Sequence, residues 1–73
     1  MEEKFIANLK EALEIEDHEV LLSDKFRDYE EWDSLNRLSL IAMLDDEYGI
    51  QIENTEFEKL ITVGDLLNKI RSA

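Results

Sequence analysis

Three stretches of this chain carry apolar residues at the three-to-four spacing of one helical face, and nothing else in the sequence restricts the fold as tightly. Phe5, Ile6, Leu9, Ala12 and Leu13 form the first stripe. Leu40, Ile41, Leu44 and Tyr48 form the second, and Val63, Leu66, Leu67 and Ile70 the third. At 73 residues the chain lies near the lower limit of what folds unaided, and it has no cysteine or metal-ligand cluster to staple it. Stability must therefore come from helices packed on well-filled apolar faces. The expected fold is all-α: one domain over residues 1–73, a small antiparallel four-helix bundle. Three of its helices are substantial, one is short, and a long loop joins the first two.

Punctuation residues set the boundaries. The first helix is expected from Glu3 to about Glu14, with acids early and Lys10 late, as the helix dipole prefers. Residues 15–31 show no sustained period, and a loop of that length in so small a domain is usually functional or packed by its own side chains. Val20, Leu21, Leu22 and Phe26 are expected to tuck it across one end of the bundle, and His18 to be a solvated surface residue. The second helix runs from Ser34 to Tyr48 and stops at Gly49. Ile50-Gln51-Ile52 reads as an extended connector. Thr55 is expected to cap a short helix from Glu56 to Leu60, and Thr62 with Asp65 to open the last helix as a capping box.

Asp33 reads as the N-cap of the second helix, a short acid placed to accept a bond from a first-turn N–H. Ser34 then occupies an exposed corner where unpaired N–H groups and the positive end of the dipole favour an anion. A phosphate ester on that hydroxyl would lie in the most favourable position a helix offers. At about 100° per residue, Leu35, Leu38 and Ala42 gather beside Ser34 as a second apolar strip, apart from the core stripe. Such a strip is either covered by the loop or presented to a partner. Trp32, just before the cap, is expected to pack over the loop and fix the entry angle into the second helix, with direct partner contact as the alternative.

Nineteen acids against eight bases give a formal net charge of −11. That surface repels nucleic-acid backbones and anionic lipid, and it steers toward partners with basic patches. No run approaches the roughly 18 apolar residues of a membrane span, and Met1-Glu2-Glu3-Lys4 lacks the basic region expected of a secretory leader. A cytoplasmic, monomeric protein is expected. Ser34 lies in no Gly-x-Ser-x-Gly elbow and the sole histidine has no nucleophile to serve, so an enzyme is not expected. Asp45, Asp46 and Glu47 end the second helix with acids where the dipole prefers bases.

At Asp33-Ser34-Leu35 the chain resembles an acyl carrier protein of the phosphopantetheine-binding family, and the resemblance runs through the acid-ended helix Leu40–Ile50 and the segment Phe57–Leu66. It implies that Ser34 receives 4′-phosphopantetheine from coenzyme A, transferred by a separate phosphopantetheinyl transferase that Asp33 helps to orient. The arm's thiol would then carry acyl groups as thioesters. Leu35 and Leu38 match positions that partner enzymes contact; Arg37, Asp45, Asp46 and Glu47 are the charges expected beside them. Leu40, Ile41, Leu44 and Ile61 match a transient acyl pocket inside the bundle.

Departures from the ordinary fatty-acid carriers point to a specialised member of the family. Glu31 and Trp32 stand where a glycine commonly precedes the aspartate. Asn36, Arg37 and Ser39 occupy a surface that is typically acidic, and Arg37 opposes a basic docking patch. The pathway is lipid, polyketide or another dedicated acyl route. An aminoacyl or peptidyl carrier with a different loading enzyme is the alternative, followed by an acidic helical interaction module that is never modified.

Overall fold

A computed structural model describes residues 2–72. Four helices follow one another: α1 (Glu2–Ala12), α2 (Ser34–Tyr48), α3 (Asn54–Phe57) and α4 (Val63–Ser72). Together they make the expected all-α antiparallel bundle. The three stripes meet in one core: Phe5 and Leu9 from α1, Leu40 and Leu44 from α2, and Val63, Leu66, Leu67 and Ile70 from α4 are all buried. Tyr48 stays half-buried because its hydroxyl accepts a hydrogen bond from the Asn8 amide at 3.1 Å, while its ring meets Phe5 edge-on.

The loop between α1 and α2 packs as its own small structure. Val20 and Phe26 are buried, Phe26 at the start of a 3-10 turn over Phe26–Asp28. Leu21, expected to tuck inward with them, is 55% exposed. The loop also closes the start of α4. The Val63 and Gly64 amides, which have no intrahelical partners, donate to the carbonyls of Asp24 and Leu22 at 2.9 and 2.8 Å. A side chain at position 64 would meet the Leu22 oxygen at 3.1 Å, so glycine permits this approach. The expected capping box completes the terminus: Asp65 Oδ2 accepts from the Thr62 and Ile61 amides, and the Asp65 amide donates to Thr62 Oγ1. Those two N–H groups, Thr62 first, hold the Asp65 carboxyl below its ordinary range.

Two boundaries differ from expectation. The short helix spans Asn54–Phe57 and not Glu56 to Leu60; Glu53 takes the cap position with no side-chain bond, so the chain turns two residues earlier than the threonine signal implies. At the other end, α1 stops at Ala12 in a Schellman arrangement. The Ile15 amide donates to Lys10 O at 2.8 Å, and Glu14 donates to Glu11 O from a left-handed backbone, φ 58°. Glycine normally fills that position, and a side chain there costs about 1–2 kcal/mol. Glu14→Gly should therefore stabilise the fold by about 1 kcal/mol, after glycine's own entropic cost, and raise Tm by roughly 4–8 °C. Thermal melts followed by circular dichroism check this.

Candidate functional site

The site is the N-terminal corner of α2. Asp33 is extended, φ −152° and ψ −178°, and its Oδ1 accepts the Asn36 amide at 2.7 Å. The ladder of α2 begins with the Arg37 amide donating to Asp33 O at 2.9 Å. Ser34 and Leu35 lie one step earlier, where an α-helix leaves its amides without carbonyl partners. Ser34 is therefore the first residue of the helix, exposed, with its hydroxyl at the positive end of the dipole. That corner suits a phosphodiester: an open hydroxyl, unpaired N–H groups, and no buried carboxylate to oppose the new charge.

What fixes the corner is a residue that sequence reasoning placed on the surface. Asn36 is buried, 6% exposed, and its amide nitrogen donates to Leu13 O at 3.1 Å and to Glu31 O at 2.6 Å. One side chain thereby ties the end of α1, the end of the loop and the first turn of α2. The correction has a physical reason: the loop's return leaves two carbonyls facing the helix, and burying them requires a donor. Trp32 packs as expected, though against other partners than a staple would give. Its ring meets Phe26 edge-on at 5.2 Å and stacks on Phe57 at 6.3 Å, instead of covering the next helical turn.

Leu35 and Leu38 project from the corner, 67% and 60% exposed. Ala42 is exposed as well, so the loop does not cover the second apolar strip at all. Arg37 is not a free charge. Its guanidinium lies 5.1 Å over the Phe57 ring and donates to Asn54 Oδ1 at 3.1 Å, with Glu58 at 4.0 Å. Asp45, Asp46 and Glu47 are exposed and form no ion pair among the described residues. None of the four residues expected to line a transient acyl pocket borders the groove between α1 and α2 or the one beside α4. Leu40 and Leu44 are sealed in the core, Ile41 is half-buried and Ile61 is 44% exposed.

His18, expected to be merely solvated, is paired. One ring nitrogen faces Glu19 O at 2.9 Å and the other the Glu31 carboxylate at 3.2 Å, with the ring against Tyr29. Two acceptors favour the imidazolium, so the Glu19 carbonyl first and Glu31 second raise its pKa above the ordinary value. The hydrogen bond from His18 in turn lowers that of Glu31. The pair's contribution is thus fully present between the ordinary values of a carboxylate and an imidazole, and declines on either side. It is lost as pH rises through the His18 pKa, or falls through that of Glu31. In an NMR titration the imidazole midpoint should lie above that of an unstructured histidine, and Glu31→Gln should lower it only part of the way, since the Glu19 carbonyl remains.

Comparison with known proteins matches residues 3–70 to the family described as "Phosphopantetheine attachment site". An acyl carrier protein of Thermosynechococcus vestitus is 34% identical over 70 residues, covering 96% of this chain and 86% of that one. The solution structure of a holo acyl carrier protein from Geobacter metallireducens superposes with a TM-score of 0.81 at 24% identity, over 96% of this chain and 80% of the other. At that identity the likeness is one of fold.

Proposed function

The chain belongs to the phosphopantetheine attachment family, and from that premise we propose that Ser34 is its attachment residue and that it serves a dedicated acyl pathway. It is a carrier of the acyl carrier type, not an enzyme, and its prosthetic group is covalent 4′-phosphopantetheine. That group, when attached, supplies a terminal thiol that holds an acyl chain as a thioester. The observation that carries the assignment to Ser34 is its position: the exposed first residue of α2, capped by Asp33 and flanked by the exposed Leu35 and Leu38.

Each neighbour has a part in this reading. Asp33 holds the first turn open toward solvent and presents the hydroxyl to the phosphopantetheinyl transferase. Leu35 and Leu38 offer apolar contact to that enzyme and to the acyl-loading and acyl-transferring enzymes. Asp45, Asp46 and Glu47 draw in the basic patches of those partners.

Departure from the general fatty-acid cycle is supported by the charges near Ser34. The first turn of α2 has no acid, and Arg37 is fastened to α3 one turn from the serine. A basic docking patch aimed at that turn therefore meets no compensating charge. Offered to fatty-acid synthase enzymes, the modified chain should be elongated much more slowly than a housekeeping carrier under the same conditions. Elongation at a comparable rate would sink the assignment to a dedicated pathway.

A further inference from the structure

We propose that Asp17, His18 and Glu31 form a binding site for one divalent transition-metal ion of the zinc type, which braces the loop between α1 and α2. The site does not depend on whether Ser34 accepts the prosthetic arm.

No cluster is visible along the chain, because Glu31 lies thirteen positions from His18. The loop's return brings one ligand atom from each of the three residues within 4.8 Å of the other two. His18 Nε2 stands 3.2 Å from both oxygens of the Glu31 carboxylate. With metal–ligand bonds of about 2.0–2.2 Å at tetrahedral angles, neighbouring ligand atoms lie about 3.3–3.6 Å apart. The edge between His18 and Glu31 is thus already close to the length such an ion spans. Without an ion, a proton bridges it. The exposed Asp17 carboxylate has at most about 1.5 Å to move to complete the face.

The imidazole is also oriented as a ligating one is. Nδ1 faces Glu19 O at 2.9 Å, and a carbonyl only accepts, so Nδ1 carries a proton and Nε2 is left to offer its lone pair. A bond of this kind from the remote ring nitrogen to a carbonyl is what fixes the tautomer of metal-bound histidines. The Tyr29 ring lies against the imidazole at 5.1 Å, and its own hydroxyl donates to Asp24 Oδ2 at 2.7 Å. Two of the three ligands are thereby set before an ion arrives.

The donor set selects the ion. One imidazole nitrogen with two carboxylates suits zinc and its late first-row neighbours, with water in the fourth position. Calcium and magnesium seek a shell of six or more oxygens that three such residues do not supply. The two carboxylates balance the charge of a dication, and a surface of net charge −11 concentrates cations around it.

Bound there, the ion would give a chain without cysteine the staple it otherwise lacks. It would join the two ends of the loop. The Glu31 carbonyl already accepts from the Asn36 amide at 2.6 Å, two residues ahead of the Asp33 cap. An ion on the carboxylate would hold the same residue from its other end and stiffen the entry to α2.

The test titrates the chelator-treated full chain with zinc chloride, followed by calorimetry, thermal melts and amide shifts. One equivalent should bind saturably, and free zinc at about ten times the dissociation constant should raise Tm by at least about 5 °C. Shifts should concentrate at Asp17, His18, Glu19 and Glu31, and about a hundredfold excess of magnesium chloride should leave the zinc in place. His18→Gln and Glu31→Gln, each confirmed folded by circular dichroism, should weaken binding at least about tenfold. Glu53→Gln removes one charge from an exposed position outside the site and should change affinity less than about twofold. Binding that does not saturate at one equivalent, equal weakening by Glu53→Gln, or shifts centred on Asp45, Asp46 and Glu47 would overturn the proposal.

Discussion

Phe57→Ala should remove about half of the chain's folding stability. Phe57 is fully buried at the end of α3, where its ring meets Phe26 at 5.9 Å and stacks on Trp32. The guanidinium groups of Arg27 and Arg37 lie 5.0 and 5.1 Å from its centre. Truncating a buried phenylalanine costs about 3–5 kcal/mol. A domain of this size has roughly 4–11 kcal/mol in hand, at 0.05–0.15 kcal/mol per residue. Arg27 adds to the loss. It donates to the carbonyls of Leu60 and, at 2.8 Å, Phe57, and is held on them by the two rings it lies across. Without Phe57 the loop, α3 and the entry to α2 lose their common anchor. Urea titration followed by Trp32 fluorescence should show the midpoint falling to about half that of the parent, with Phe57→Leu intermediate. A midpoint within a few tenths molar of the parent would contradict this account of the core.

The helices were legible because burial imposes a period. Leu40 and Leu44, or Leu66 and Ile70, cannot share a core unless they recur with the helical turn, and that recurrence is visible in one dimension. Thr62 with Asp65 was legible for a similar reason, since both partners of the cap lie within four residues. Ser34 was legible as an exposed helix start from its neighbours alone.

Long-range closures leave no such trace. Asn36 sits among polar residues and looks like surface, yet its partners are the carbonyls of Leu13 and Glu31, fixed only once the loop has returned. Arg37 reads as a free charge until α3 brings Asn54 and Phe57 to it. Leu21 and Leu22 are adjacent and alike in chemistry. Only the approach of Gly64 to the Leu22 carbonyl decides which of them turns inward. His18 pairs with a carboxylate thirteen residues away for the same reason.

Replacing Ser34 with alanine should abolish loading while leaving the fold intact. The side chain is exposed at the first helical position and the cap belongs to Asp33, so its removal opens no cavity and orphans no buried group. The expected change in stability is within about 0.5 kcal/mol. The chemical effect is all or none, because a phosphodiester needs the hydroxyl oxygen and the chain offers no other serine at a helix start: Ser23 lies in the loop, Ser39 within α2 and Ser72 at the end of α4. Intact mass after incubation with coenzyme A and a broad-specificity phosphopantetheinyl transferase tests this directly, on the parent and on Ser34→Ala in parallel. The parent should gain the mass of one phosphopantetheine and the variant none. An unmodified parent, shown to be folded, or a variant that gains the same mass, would contradict the assignment of Ser34.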